Sequence, residues 1–330
     1  MDDKVTIEKI ARYAGVSPST VSRALNQPEL VKARTRENVY EAVEELKYVP
    51  PAVKHEGTAK TAVIGLAVPD IKLSFVGELI RDIQLELSST SCDLLLIDMK
   101  GERRVSLFFT RNSFYRKKID AVIIFSAILD EGGVNFFNSV NIPVVLMQSR
   151  SGAAKSISTN NFLGGHDATE YLLSRGYRKI GFVGWNYQDD RLMGRFNGYR
   201  SALEKAGIEF QESMACYDTI DVEGGYKATE RLLEGFKPDA VFYSCDAMAA
   251  GGLKFFRTHN FKVPDEVGVM GFDNIELASA LGLTTMKQFI REKARMAISY
   301  LMDRLSGNSR KLLNEEICIT PRVVIRETTR

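Results

Sequence analysis

From residue 62 onward the chain alternates short, wholly apolar runs with segments of helical periodicity, and this alternation restricts the fold more than any other feature. "AVIGLAVPD" (62–70) is an apolar run ended by a polar turn. "FVGELIRDIQLELSSTSC" (75–92) has the spacing of an amphipathic helix, and "DLLLIDM" (93–99) is apolar again. "IDAVIIFSA" and "IPVVLMQS" continue the series. A second series opens at "HDATEYLLSRGY" and passes through "KIGFVGW", "RFNGYRSALEKAGI", "GGYKATERLLEGF", "PDAVFYSCD" and "AMAAGGLKFFRTHN" to "VGVMGFDN". Strands that are apolar at every residue are buried on both faces, the condition of a parallel sheet covered by helices. Two such series predict an α/β core of two parallel-sheet lobes, with a cleft at the carboxyl ends of the strands.

Residues 6–47 follow a different pattern, that of three short helices. Thr6 can cap the first, whose apolar face is Ile7, Ile10, Ala11 and Ala14. Gly15 supplies a turn, Ser17 caps a second helix, and Pro18 occupies its first position, where the missing N–H is harmless. That helix runs to about Leu25 and buries Val21, Ala24 and Leu25; Thr35 caps a third, facing inward through Val39, Ala42, Val43 and Leu46. Helix, tight turn and serine-capped helix form the pattern of a helix-turn-helix, whose second helix enters the DNA major groove. Short hydroxyl side chains suit close approach to phosphates, and Arg23 offers a guanidinium for a guanine. Over residues 1–36 seven Lys and Arg (Lys4, Lys9, Arg12, Arg23, Lys32, Arg34, Arg36) face four acids (Asp2, Asp3, Glu8, Glu29), so the patch is mildly basic. The spacing alone also describes a small helical cap with solvent-facing serines.

The whole chain bounds the possibilities further. Its 330 residues suggest two or three compact units, and a net charge of +2 supplies no global field toward nucleic acid or membrane. The acidic start "MDDKVTIEKI" is no signal peptide, and no apolar run reaches the roughly 18 residues of a membrane helix. Scattered cysteines (Cys92, Cys216, Cys245, Cys318) read as thiols of a reducing cytoplasm, and His55, His166 and His259 lie too far apart in sequence to suggest a metal site. There is no GxGxxG, GxxxxGK[ST], GxSxG or HExxH, so no catalytic residue, cofactor or metal is expected.

"VTIEKIARYAGVSPSTVSRALN" followed by "TRENVYEAVEELKYVP" closely resembles the headpiece of the LacI/GalR family of bacterial transcriptional regulators. The resemblance implies base-reading positions at Pro18, Ser19 and Arg23. It puts backbone contacts at Thr6, Ser17, Ser22, Asn26 and Thr35, with Thr20 also among the DNA-contacting residues. It further implies a headpiece over 1–48, a hinge or linker over 49–61, and an effector-binding, dimerising core over 62–330. That core resembles periplasmic sugar-binding proteins: an N-lobe of about 62–159 and 287–319, and a C-lobe of about 160–286 and 320–330. The linker departs from the family, with Pro51 for the usual Asn, Lys54 for an alanine and Gly57 for the leucine that wedges into a base step. Val53 and Lys54 remain as its DNA-contacting candidates.

By the same resemblance Arg195 grips effector hydroxyls or a carboxylate and Asp273 accepts from sugar hydroxyls or ligand amines, on opposite sides of the effector site. Phe75 and Trp185 are candidate stacking platforms, and Gln148, Cys245 and Gln288 hold contact positions, the first two departing from the usual residues. Asp246 is expected to cap the helix that begins "AMAAGG". The implied protein is a cytoplasmic, nucleoid-associated repressor: a homodimer on double-stranded operator DNA, controlled by a small, sugar-like effector, with no membrane role. The competing reading is a cytoplasmic sugar-binding protein without a DNA role.

Overall fold

The computed structural model describes residues 5–27, 30–46, 48, 61–185, 189–307 and 315–330. The headpiece consists of α1 (Ile7–Ala14), α2 (Pro18–Asn26) and α3 (Ala33–Glu45). Its core is Ile10, Ala11, Val21, Ala24, Leu25, Val39, Tyr40, Ala42 and Val43, with Ile7, Ala14 and Leu46 packed around it. Helix α3 differs from expectation at its start. The Lys32 carbonyl already accepts the first helical bond, from Arg36 N–H at 3.0 Å, because Ala33 and Arg34 are strong helix formers. Thr35 therefore lies inside the first turn and is not the cap.

The remaining described chain forms two parallel-sheet lobes. The first sheet runs in the order β11 (Glu316–Ile319), β5 (Lys155–Thr159), β4 (Val144–Met147), β3 (Ala121–Phe125), β1 (Ala62–Val68), β2 (Cys92–Asp98). Strand β1 pairs in parallel with β2 and β3, in registers that include Leu66↔Leu96 and Leu66↔Ile123. Central β3 is buried at every residue, whereas in edge strand β2 only Ile97 is fully buried, as position in a covered sheet requires. Helices α4 (Ser74–Leu87), α5 (Val105–Arg111), α6 (Glu131–Ser139) and α12 (Ile290–Leu305) accompany this sheet in sequence, with a 3₁₀ turn at Ser113–Lys117. The second sheet is β7 (Ala215–Asp218), β6 (Ile180–Trp185), β8 (Ala240–Tyr243), β9 (Gly268–Met270), all parallel. It alternates with α7 (Asn161–Ser174), α8 (Asp190–Lys205), α9 (Val222–Gly235), α10 (Asp246–Thr258) and short α11 (Glu276–Ala280). Strands β10 (Thr285–Lys287) and β12 (Arg322–Val324) form an antiparallel pair.

The described residues group into two compact units: Met1–Ile71, Ile83–Ser158 and Lys293–Ile317, and Lys72–Asp82, Thr159–Glu292 and Cys318–Arg330. The first half of α4 thus belongs to the second unit, where the sequence expectation kept 62–159 together. The local reason is polar: Glu78 accepts from Glu276 N–H at 2.9 Å, and Arg81 reaches the Glu276 carboxylate at 3.4 Å.

Within the second unit two helix pairs touch backbone to backbone. A Cβ on Gly165 of α7 would lie 2.0 Å from the Arg195 carbonyl of α8, and one on Gly198 would lie 2.1 Å from the Phe162 carbonyl. Gly225 of α9 and Gly251 of α10 make the matching contacts, with the Met248 and Val222 carbonyls, each at 2.1 Å. Only glycine permits approaches this close.

Candidate functional site

On the headpiece the sequence-derived residues divide between scaffold and surface. Thr6 Oγ1 accepts from Lys9 N–H at 3.4 Å, and Gly15 closes α1 in the left-handed conformation at φ 66°. Ser17 Oγ accepts from Thr20 N–H at 3.2 Å and lies 2.8 Å from both Ser19 Oγ and Thr20 Oγ1. Pro18 takes the first helical position. Because Val21, Ala24 and Leu25 are turned inward, Pro18, Ser19 and Arg23 are left exposed on the outer face, with Thr20 and Ser22 half-buried. Asn26 ends α2, but its side chain, like Val53, Lys54 and the other linker residues 49–60, lies outside the described residues. The arrangement is an exposed helix N-terminus carrying hydroxyls and a guanidinium, suited to phosphate and base edges.

In the second lobe Trp185, Arg195, Cys245, Asp273 and Gln288 come together near the carboxyl ends of the paired strands β6 and β8, where the strand order reverses, the switch point at which α/β sheets bind ligands. Arg195 is 3% exposed. Its Nε donates to Asn161 Oδ1 at 3.0 Å, its Nη1 to the Ser244 carbonyl, and its Nη1 lies 3.7 Å from Asp273 Oδ1. The guanidinium stacks over Phe272, 3.7 Å from the ring centroid. Burial pushes its pKa down, and Asp273 opposes that shift. Gln288 donates to Asp273 and accepts from Thr159 Oγ1 at 2.8 Å. Arg195 and Asp273 are therefore adjacent partners in an ion pair, not opposite walls, since a guanidinium this buried needs a counter-charge in contact.

Three other expectations change. Trp185 is 1% exposed and its ring is covered by the guanidinium groups of Arg191 and Arg195, at 5.3 and 5.5 Å, so it is no open platform. Cys245, not Asp246, occupies the position before α10, without a side-chain capping bond. Burial drives its thiol pKa up, keeping it protonated. Asp246 turns into the core, accepting from Thr285 Oγ1 at 2.5 Å and from Ile275 N–H at 3.0 Å. Burial, reinforced by the Asp273 charge, raises its pKa well above the ordinary value. Phe75 sits half-buried in the first turn of α4, grouped with the second unit, and Gln148 lies at the end of β4 in the first.

Sequence reasoning missed Asn161, Asp189, Arg191, Ser244 and Phe272. Asp189 caps α8 through two N–H groups while holding Arg191 at 2.6 Å. For Asp189, Arg191, Ser244 and Phe272 the available signal was position beyond an apolar strand run; Asn161 follows the largely polar β5 and carried no such signal. Backbone conformation marks the same region of the second unit, for Asp273 (φ 126°) and Asn274 (φ 60°) both adopt positive φ beyond β9, a conformation that concentrates at ligand sites. Among the described residues one group could approach a metal: His166, Asp167 and Glu170 on α7. Glu170 there is paired with Lys205 at 2.6 Å, which supplies the positive charge itself.

Comparison with known proteins settles the family. Residues 6–51 match the model of bacterial regulatory proteins of the lacI family, and residues 169–329 match that of a periplasmic binding protein-like domain. The chain is 30% identical to the HTH-type transcriptional repressor PurR of Photorhabdus laumondii, over 98% of this chain and 96% of that one. The chain belongs to the LacI family. Among solved structures it resembles the transcriptional regulator CelR in its cellobiose complex (25% identity, TM-score 0.74, covering 98% of this chain and 100% of that one). It also resembles a LacI-family regulator from Enterococcus faecium with bound ribose (26% identity, TM-score 0.72, 81% and 98%). As a LacI-family member the chain is a transcriptional regulator with a helix-turn-helix DNA-binding headpiece on a two-lobed α/β core.

Proposed function

We propose that this regulator is a repressor that binds a pseudo-palindromic operator as a homodimer and is controlled by a neutral sugar or sugar-derived effector. The observation that carries the DNA reading is the outer face of α2, where Ser17 is spent on capping while Ser19 and Arg23 remain exposed. Arg23 reads a guanine, Pro18 and Ser19 approach neighbouring bases, and Thr6, Ser17, Thr20, Ser22, Asn26 and Thr35 address the backbone. Val53 and Lys54 are proposed as linker contacts on their residue types alone.

The effector reading rests on the buried Arg195–Asp273–Gln288 chain, a fork donor, a charged acceptor and an amide, the set that orients vicinal hydroxyls. Phe75, Gln148, Trp185 and Cys245 complete the proposed contacts. Structural neighbours solved in complex with cellobiose and with ribose support a carbohydrate. The protein acts in the cytoplasm, where operator DNA is, and performs no catalysis. The test is fluorescence anisotropy with labelled DNA from upstream of the chain's own gene, with and without ribose or cellobiose. Specific binding at one fixed salt concentration is expected; equal affinity for unrelated DNA of the same length would overturn it.

A further inference from the structure

The headpiece and the first lobe belong to one compact unit, and their seam is built. Ser113, at the start of the 3₁₀ turn and 1% exposed, donates its hydroxyl to the Leu25 carbonyl at the end of α2. A carbonyl of the last helical turn lacks an intrahelical partner, so the lobe supplies the C-terminal cap of the recognition helix. Along the same seam Val105, Phe108 and Phe109 of α5 enter the lobe's own core. Leu107, 9% exposed, instead borders a cavity of about 210 Å³ together with Tyr40 and Val43 of α3. Tyr48 and Thr110 line it too, and Arg111 reaches Glu37 at 3.9 Å. Apolar side chains from both sides facing a shared cavity, a buried hydrogen bond and a complementary charge pair are features of an interface. The outer face of α2 stays exposed, so this contact orients the headpiece without covering its DNA-reading residues.

We propose that the α5–3₁₀ face of the first lobe is a docking surface for the chain's own headpiece and sets the orientation in which α2 is offered to DNA. The sequence of the linker gives the contact its importance. Residues 49–61 contain Pro50, Pro51 and Gly57, residue types of low helix propensity. A direct contact transmits movement of α5 to the headpiece. Segment α5 is itself tied to the end of β3, since Val105 N–H donates to the Ile128 carbonyl at 3.0 Å and Asp130 accepts from Ser106 N–H at 3.1 Å. Prepositioning a binding surface raises affinity by lowering the ordering cost. This consequence rests on the DNA-binding reading; the docking itself does not.

The experiment uses the full chain, comparing the rotational correlation times of headpiece and lobe amides by NMR relaxation. In wild type they should agree. In Leu107→Glu the headpiece value should fall about twofold, and half-buried Thr110→Glu, on which the lobe's core does not depend, should act in the same direction. Both variants should bind DNA from upstream of the chain's gene about tenfold more weakly, with headpiece chemical shifts retained. A wild-type headpiece that already tumbles freely overturns the docking. Undocked variants with unchanged DNA affinity overturn the orienting role. If wild type itself binds no DNA, the functional reading has failed, while relaxation still decides whether the headpiece docks.

Discussion

Gly165→Ala offers a stringent test of how the second lobe holds its arginine. The added Cβ would meet the Arg195 carbonyl oxygen at 2.0 Å, its carbon at 2.7 Å and its Cα at 2.8 Å. These are backbone atoms of a neighbouring helix and cannot swing aside. Ordinary contact begins near 3.4 Å, so α7 and α8 must part by about 1.4 Å. Removing a glycine from a helix interior would by itself stabilise by about 1 kcal/mol, whereas overpacking costs about 1–3 kcal/mol and sometimes more. With backbone on both sides the upper end applies, leaving a net loss of about 2 kcal/mol, or roughly 4–8 °C in melting temperature. The displacement also moves Arg195 relative to Ser244 and Asp273, so ribose or cellobiose binding should weaken. Gly77→Ala is the control: α4 places nothing within 4 Å of its added methyl, and a gain of about 0.5–1 kcal/mol is expected. Scanning calorimetry and isothermal titration read both. If Gly165→Ala melts as high as Gly77→Ala and binds equally well, the close helix contact does not position the site.

Arg23→Ala should lower specific operator affinity by about 1–3 kcal/mol and leave thermal stability unchanged; anisotropy at fixed salt checks it, and equal affinity would remove Arg23 from the reading face. Arg195→Ala removes the guanidinium beside Asp273 and should destabilise the core by about 3–5 kcal/mol, measurable by urea titration; a loss under 1 kcal/mol would show that water replaces the guanidinium. Burial holds the Asp246 carboxyl well above its ordinary 3.8. A raised acid contributes stability that is complete below the unfolded-state value and is lost as pH climbs through the folded-state value. The Asp246 contribution should therefore fall from about pH 4 upward, and Asp246→Asn, which keeps an acceptor for Ile275 and gains a donor for Thr285, should gain melting temperature relative to wild type as pH rises. An unaltered pH profile would refute the assignment.

Much of the architecture was legible because β6 and β8 of the second lobe are buried and apolar throughout, within "KIGFVGW" and "PDAVFYSCD". The headpiece was legible through its caps, Thr6 and Ser17. Helix α6, "EGGVNFFNS", has no place in the sequence expectation, since its paired Gly132 and Gly133 lower helix propensity; in the structure the Asp130 cap and the burial of Phe136 and Phe137 carry the helix. Thr35 misled because a good capping residue also tolerates the first turn, and two strong helix formers preceded it. At the site, residue type pointed to Arg195 and Asp273 but not to their mutual contact. Which buried charges pair depends on strand ends brought together from distant sequence, and Asn161, 34 positions from Arg195, leaves no local trace of that role.

The four glycines that lock α7 to α8 and α9 to α10 also constrain how the second lobe can diverge. Any side chain at Gly165, Gly198, Gly225 or Gly251 collides with a partner's backbone, so these positions are closed to drift while the helix pairs endure. Variation is thereby diverted toward the helix starts, where Asn161, Arg191 and Cys245 stand beside the strand ends. A descendant of this chain could acquire a different ligand by exchanging those few residues, with the frame that aims them inherited unchanged.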